Sequence, residues 1–437
     1  MRARICIVTT AQPTTNPRVV KEADALSAAG CDVQVVGAFA GSFAMESDPA
    51  LLARRRWALD LVDWRPEHDR RLYWTSGVRH RLASRLGGWQ GSPMAIVNAA
   101  ASRPTPELTT RALAHPADLY IAHTLGALPA AAAAARRHRA VWGFDAEDFH
   151  SGQFAIGSAD PMRRVAERVE RHYLPHCAYL TAASPGIAEV YRPLVGGRGP
   201  RCVLNVSSLA DREAMPRRDA TDAHAPVRLY WFSQTIGPDR GLEDVVRAMG
   251  RLPEQAVELH VRGTWADGYE TTLRQLASAC DLAPDRVVAH SAAPADAMVR
   301  VAAPHDVGLA LEPGSTPNSQ LAISNKLLTY LMAGLAVVAS RTSGQQWVID
   351  RAPGAGWTYT PGDVAQLASV LSAHVMHPVA RQAAREAAAA AAETRFCWEY
   401  EQAALLDEIG GVLEGRPGNV ARGARAELAA ASDRRAG

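Results

Sequence analysis

Short β-branched runs alternate with helix-forming segments along this chain, and the alternation runs its course twice. "RICIVT" precedes "NPRVVKEADALSAAG", where Asn16 stands at the N-cap, Pro17 at the first helical position and Gly30 at the stop. "DVQVVGAF", "DLYIAHT", "AVWGFDAED", "YLTAAS" and "RCVLNVS" continue as strands, separated by helical stretches such as "ALPAAAAAARRH", "PMRRVAERVERHYL" and "PGIAEVYRPLV". The polar stretch "SLADREAMPRRDATDAHAP" (208–226), with Pro216 and Pro226, then breaks the pattern. Alternation resumes with "VRLYWFSQ", "VELHVRGT", "RVVAHSA", "DVGLALE" and "LAVVAS", again with helices between. Strands that alternate with helices pair in parallel and are covered on both faces. The chain is therefore expected to be α/β, with two Rossmann-like domains and an interdomain cleft. The expected bounds are 1–207, a linker at 208–226, a second domain at 227–395, a further helix at 396–414 and a mobile tail at 415–437.

The other bulk properties mainly exclude. The 437 residues carry a net charge of +2, so no global field favours nucleic acid, and none is expected as a partner. The six cysteines are scattered, without a CxxC, which argues against a zinc ribbon and for a reducing, cytoplasmic setting. "MRARICIVTT" has no signal-peptide pattern, and "ALPAAAAAA" is too short to span a bilayer. GxxxxGK[ST], GxSxG, HExxH and DxD are all absent, as is GxGxxG after the first strand. No metal ligand set is visible, and no resident cofactor is expected.

Open α/β sheets bind ligands beyond the carboxyl ends of their strands. Candidate residues therefore come from the loops that follow strands. Ser233 ends one strand, and Arg240-Gly241 open the next helix, where a guanidinium suits a diphosphate; the alternative is a solvated surface arginine. In "SNKLLTYLMAGLAVVAS" (324–340), Ser324 stands where a cap belongs and Lys326 lies in the first turn. A helix start already carries partial positive charge, so a lysine there is unfavourable unless an anion arrives; the alternative is a snorkelling side chain. In "GFDAEDFHSG", Asp145, Glu147, Asp148 and His150 follow a strand directly and could accept hydrogen bonds from sugar hydroxyls or act as a base. A solvated acidic loop would look the same. His123 also ends a strand, in a position that suits either a structural or a catalytic role.

The ordered set of motifs resembles retaining glycosyltransferases of family four, which have the type-B fold of two Rossmann-like domains. The resemblance runs over roughly residues 3–410 and includes "FSQTIGPDRGLEDVVRAM", "DVGLALEP" and "FCWEYEQAALLDEI" besides the motifs above. It implies a retaining, metal-independent transferase that uses a nucleotide-diphosphate sugar as co-substrate. It implies a donor held by the second domain and an acceptor, a glycan, lipid-linked intermediate or small molecule, held by the first. Arg240 matches the position that contacts the donor diphosphate, and Lys326 lies in the helix bordering the donor. The donor set is then Ser233, Gln234, Arg240, Gly241, Glu312, Ser324, Asn325, Lys326 and Thr329. Asp145, Glu147 and His123 are the catalytic candidates, with Asn16, Arg18, Asp148 and His150 on the acceptor side. The last helix of such a fold crosses back to the first domain. The chain departs from the family where paired glutamates are usual, carrying Leu321 and Thr329, and where an arginine is usual, carrying Gln234. Those departures fit an alternative reading, a non-catalytic nucleotide- or sugar-binding protein.

Residues 51–90 hold nine arginines and four acidic residues, interleaved with Trp57, Trp64, Trp74 and Trp89. Such a segment can lie on an anionic membrane, placing a peripheral protein on the inner face. An ordinary helix whose tryptophans face the core is the competing expectation.

Overall fold

A computed structural model describes residues 2–39, 52–53, 55–196, 199–215, 226–253 and 257–415. The chain divides into two compact units. One comprises Met1–Val203, Thr316–Asn318 and Gln402–Gly437; the other comprises Leu204–Ser315 and Ser319–Glu401.

The first unit is built on a seven-stranded sheet of order β3-β2-β1-β4-β5-β6-β7. Its strands are β1 (Arg4–Thr9), β2 (Asp32–Ala38), β3 (Ala58–Val62), β4 (Leu119–His123), β5 (Val141–Ala146), β6 (Tyr179–Ala182) and β7 (Arg201–Cys202). Every pairing is parallel. β4 and β6 are buried at every position, which is why their sequences read as apolar runs without alternation. The helix after β1, Pro17–Ala28, starts as the sequence dictates: Asn16 accepts from Val19 N, and Gly30 follows the end at φ 89°. Between β3 and β4 the chain forms three helices, Arg70–Gly87, Met94–Ala101 and Thr105–Ala114. The last two have no clear pattern in the sequence.

The second unit carries a six-stranded parallel sheet of order β10-β9-β8-β11-β12-β13. Its strands are β8 (Val227–Ile236), β9 (Val257–Trp265), β10 (Val287–His290), β11 (Val307–Ala310), β12 (Ala336–Ser340) and β13 (Gly356–Tyr359). Between β11 and β12 lies the helix Asn325–Ala333, closed by Gly334 at φ 66°. A glycine seats it on the sheet. Tyr330 is wholly buried, and a Cβ on Gly308 of β11 would stand 2.1 Å from its ring. The Tyr330 hydroxyl donates to Leu309 O at 3.2 Å.

Within the stretch read as a linker, Leu209–Glu213 forms a short helix with a capping box between Ser208 and Asp211. Residues 216–225 of that stretch, and 416–437 of the expected tail, lie outside the described residues. No helix among the described residues is long and apolar enough to cross a membrane.

Candidate functional site

Each sheet reverses its strand order once, between β1 and β4 and between β8 and β11. In open α/β sheets the crevice outside the carboxyl ends at such a reversal is where ligands bind. The candidate residues gather at these two places.

In the second unit the turn after β8 packs onto the chain leaving β11. Asp239 and Gly241 adopt φ 58° and 79°, and a Cβ on Gly241 would stand 2.8 Å from Leu311 Cβ. Only glycine allows that approach. Arg240 is thereby held at the turn beside the chain leaving β11. Its Nη1 donates to Ser233 Oγ at 3.2 Å, and its charge contributes to the Glu312 environment. Ser233 and Gln234 occupy a bulge, since the register between β8 and β9 shifts between Phe232 and Thr235. The bulge requires Gly263 opposite, at φ 148°, where a Cβ would meet Ser233 O at 2.1 Å. Gln234 is exposed.

Lys326 is not the isolated charge that the sequence suggested. Its Nζ donates to Glu312 Oε1 at 3.0 Å and lies 5.6 Å from the centre of the Trp231 ring. Ser324 sits at the N-cap position, yet its side chain makes no capping bond; Oγ donates instead to Glu312 Oε1 at 2.9 Å. The capping expectation is corrected accordingly: a nearby carboxylate outcompetes the backbone N–H groups for the hydroxyl. The Lys326 charge holds the Glu312 carboxyl below the usual range, opposing its burial and assisted by both hydrogen bonds and by Arg240. Asn325 Oδ1 accepts from Asn205 Nδ2 at 3.1 Å, and Thr329 is buried one turn further along the helix.

Two residues missed in the sequence fix the backbone here. Ser340 Oγ donates to Glu312 O at 2.6 Å, and buried Gln345 donates to Ala310 O at 3.2 Å and Ser340 O at 2.8 Å. They hold the end of β11 from the neighbouring strand β12 and from the helix Ser343–Arg351 that follows it. Neither carries a motif, so the sequence gives no signal for them.

The first unit joins most of its candidates into one buried network. Arg18 grips Asp145 with Nε at 2.5 Å and Nη2 at 2.7 Å, and donates from Nη1 to Val203 O at 2.6 Å. Thr181 adds a hydroxyl to Asp145 at 3.0 Å. His123, 0 % exposed, lies between Glu22 at 2.5 Å and Glu147 at 3.0 Å. Asn16 Nδ2 donates to Glu147 Oε1 at 2.7 Å. Burial alone would depress the His123 pKa, but the charges of Glu22 and Asp145 and the bonds to Glu147 and Glu22 raise it to about 10. Burial pushes Asp145 upward, and Arg18 and His123 more than reverse that, leaving it below the ordinary carboxylate range. Glu147 is lowered in the same way, burial being outweighed by His123. At neutral pH the network thus holds two cations and ionised Asp145 and Glu147.

The roles within this network differ. Asp145 has both oxygens engaged and is buried, so it orients Arg18 and His123. Glu147, 24 % exposed, gives the network its access to solvent. Asp148 beside it accepts from Gln153 Nε2 at 3.1 Å. His150 turns inward, its ring 6.0 Å from Phe144. Glu22 was not legible, because it reads as one more polar position in an amphipathic helix.

The sequence shows no ligand spacing for a metal, yet folding gathers two groups with ligand atoms within 4.8 Å: Glu22, His123 and Asp145, and His260, His290 and His305. In the first, Arg18 and Thr181 already occupy both oxygens of Asp145, which leaves that carboxylate without an oxygen to give a metal. That group does not suit one.

No family model matches the chain, and no curated protein does. Solved structures do. Sucrose-phosphate synthase from Thermosynechococcus elongatus is similar at 15% identity, TM-score 0.69, over 95% of this chain and 100% of that one. HepE from Anabaena, in complex with UDP and glucose, is similar at 16% identity, TM-score 0.67, over 94% and 100%. TarM is similar at 8% identity, TM-score 0.64, over 95% and 99%. The chain has the type-B glycosyltransferase fold of two Rossmann-like domains.

Proposed function

We propose that the protein is a retaining glycosyltransferase that moves a sugar from a nucleotide-diphosphate sugar to a glycan, lipid-linked or small-molecule acceptor. The observation that carries this reading is the placing of two cations at the β8/β11 reversal, Lys326 bonded to Glu312 and Arg240 bonded to Ser233 with its charge felt at the same carboxylate. In the proposed step the bond between the anomeric carbon and the diphosphate oxygen breaks. The acceptor oxygen bonds to the same face of that carbon, and its proton passes to the departing diphosphate. Charge then grows on the diphosphate beside Arg240, Lys326 and the first turn of the helix Asn325–Ala333, which are already oriented to stabilise it. The carboxylates after β5, Glu147 and Asp148, suit acceptor hydroxyls, with Asn16, Arg18, His123 and Asp145 holding Glu147 in place. A uridine diphosphate sugar is the first donor to test, since the HepE structure holds UDP.

The non-catalytic alternative draws on Leu321 and Thr329, which stand where the family's paired glutamates are usual, the later of them on the nucleotide ribose. Release of nucleoside diphosphate that requires an acceptor separates the two readings; binding without release would leave a binding protein. The chemistry described assigns the charge on the diphosphate to side chains. Turnover is therefore expected to proceed without added magnesium or manganese. Activity that vanishes in EDTA and returns with either ion would contradict this.

The proposed membrane contact rests on some residues of 51–90 and not on others. Trp57 is buried and donates to Asp24 at 2.8 Å, and Trp64 lies under Arg103 at 4.1 Å. Trp74 and Trp89, by contrast, are 58% and 70% exposed. With Val78, Leu82 and Leu86 they form an apolar stripe along the helix Arg70–Gly87 and just past it, flanked by exposed Arg70, Arg71, Arg81 and Arg85. That stripe suits the cytoplasmic face of an anionic bilayer. Arg55 is paired with Asp24 at 3.1 Å and Arg54 lies outside the described residues, so the test belongs on the helix. Each arginine contributes about 1 kcal/mol near such a surface. Arg81→Gln with Arg85→Gln should cut binding to phosphatidylglycerol vesicles by about tenfold or more, and high salt should do likewise. Co-sedimentation indifferent to both would remove the membrane from this reading.

A further inference from the structure

We infer that the second unit carries a zinc-class metal site made by His260, His290 and His305, a set that shares no residue with the proposed donor site. The three residues are far apart in sequence, and the sheet brings them together. His260 lies on β9 and pairs with Val288 of β10, so His290, two residues on, projects from the same face. On the other side His260 pairs with Tyr230 of β8, and the Tyr230 ring stacks on His305 at 4.2 Å. His305 precedes β11, at the amino ends of the strands; Arg240, Glu312 and Lys326 follow carboxyl ends.

The nitrogens are placed for a shared cation. His260 Nδ1 and His290 Nε2 are 2.9 Å apart. Two imidazoles bound to zinc at about 2.0–2.1 Å in tetrahedral geometry have nitrogens roughly 3.3 Å apart, so a small opening admits the ion. All three residues offer ligand atoms within 4.8 Å of one another. The outer partners fit the same role. His260 Nε2 faces Glu258 Oε2 at 3.2 Å, and His305 Nδ1 faces Ala302 O at 3.0 Å. A metal-binding histidine commonly donates its second ring N–H to a carboxylate or a carbonyl, which fixes the tautomer and the ring plane. Glu258 and Ala302 supply one of each.

The cluster borders a cavity of about 440 Å³ that Arg228, Arg262 and Arg300 also line. Three protein ligands leave a tetrahedral zinc one position, which the cavity opens to water or to a small anion. The nearby arginines favour an anion there. The ion would tie β9, β10 and the start of β11 together at one edge of the sheet.

The test uses the full chain, stripped with chelator and titrated with Zn²⁺ alone, with Co²⁺ as the spectroscopic substitute. One Zn²⁺ per chain should bind, Co²⁺ should give the visible bands of a four- or five-coordinate site, and the thermal midpoint should rise with added Zn²⁺. Glu258→Gln should weaken Zn²⁺ ten- to a hundredfold. His290→Ala, a change at a partly exposed residue, should abolish stoichiometric binding while the circular dichroism stays that of the parent. No Zn²⁺ bound by the parent overturns the inference, and so does Zn²⁺ bound equally well by His290→Ala. Neither result depends on transferase activity.

Discussion

Alanine at Lys326 or Arg240 should weaken nucleoside-diphosphate binding ten- to a hundredfold. A charge-assisted hydrogen bond contributes roughly 1.5–3 kcal/mol, and each 1.4 kcal/mol is about a decade in affinity. Lys326 is bonded to Glu312 and Arg240 to Ser233, with the Arg240 charge also felt at Glu312, so the free protein keeps both cations oriented. A diphosphate must share them with that carboxylate. Glu312→Gln therefore serves as the partner variant: it removes a competing anion and should leave diphosphate binding intact or tighter. Loss of Lys326 should also cost the fold some stability, because among the described residues it leaves Ser324 as the hydrogen-bond donor to the Glu312 carboxylate. Calorimetric titration with UDP measures all three variants. Parent-like affinity in both alanine variants would move the donor site elsewhere.

Arg18→Met should be among the most destabilising single changes in the first unit, costing about 3–5 kcal/mol. It removes one of two cations from a buried network and strands Asp145 beside Glu147. The matched double variant, Arg18→Met with Asp145→Leu, should recover much of the loss, because it no longer buries an unpaired charge. Urea midpoints at a shared m-value report both. The pH dependence follows from the same residues. His123 has its pKa raised from 6.5 to about 10, so its contribution is complete below 6.5 and is lost as pH rises through about 10. Asp145 and Glu147 are lowered, so theirs is present above their ordinary values and is lost as pH falls through the folded ones. Stability should therefore decline on both sides of neutrality. Equal midpoints for Arg18→Met and the parent would show that the network contributes nothing.

The parallel sheets were legible because strands buried on both faces must be written as apolar runs, and because Asn16, Pro17 and Gly30 mark a helix with local chemistry alone. The segment between β3 and β4 was less so. Its helices present mixed faces, and the stripe on Arg70–Gly87 points outward, so periodicity gave no inward face to read. Candidate positions could be named from the sequence where a loop follows a strand, as for Arg240, or where a helix begins, as for Lys326. What could not be read was partnership. His123 finds Glu22 from a distant helix, Lys326 finds Glu312 across a loop, and His260 and His290 meet through strand register, with His305 joining them from the turn before β11. Ser324 shows the limit of a local rule: the residue type is right for a cap, and a tertiary neighbour claims its hydroxyl.

The seat of Tyr330 on Gly308 has a consequence for how this protein could acquire a new donor preference. The ring fills the space that any side chain at position 308 would need, with a Cβ only 2.1 Å away. A slide of the helix by one turn, about 5.4 Å, would carry the ring off its seat and leave a void against β11. The helix behaves as a fixed jig, not as an adjustable clamp. Under the proposed function, donor preference would drift through the residues the helix displays and the loop that precedes it, while the distance from Lys326 to the sheet stays constant.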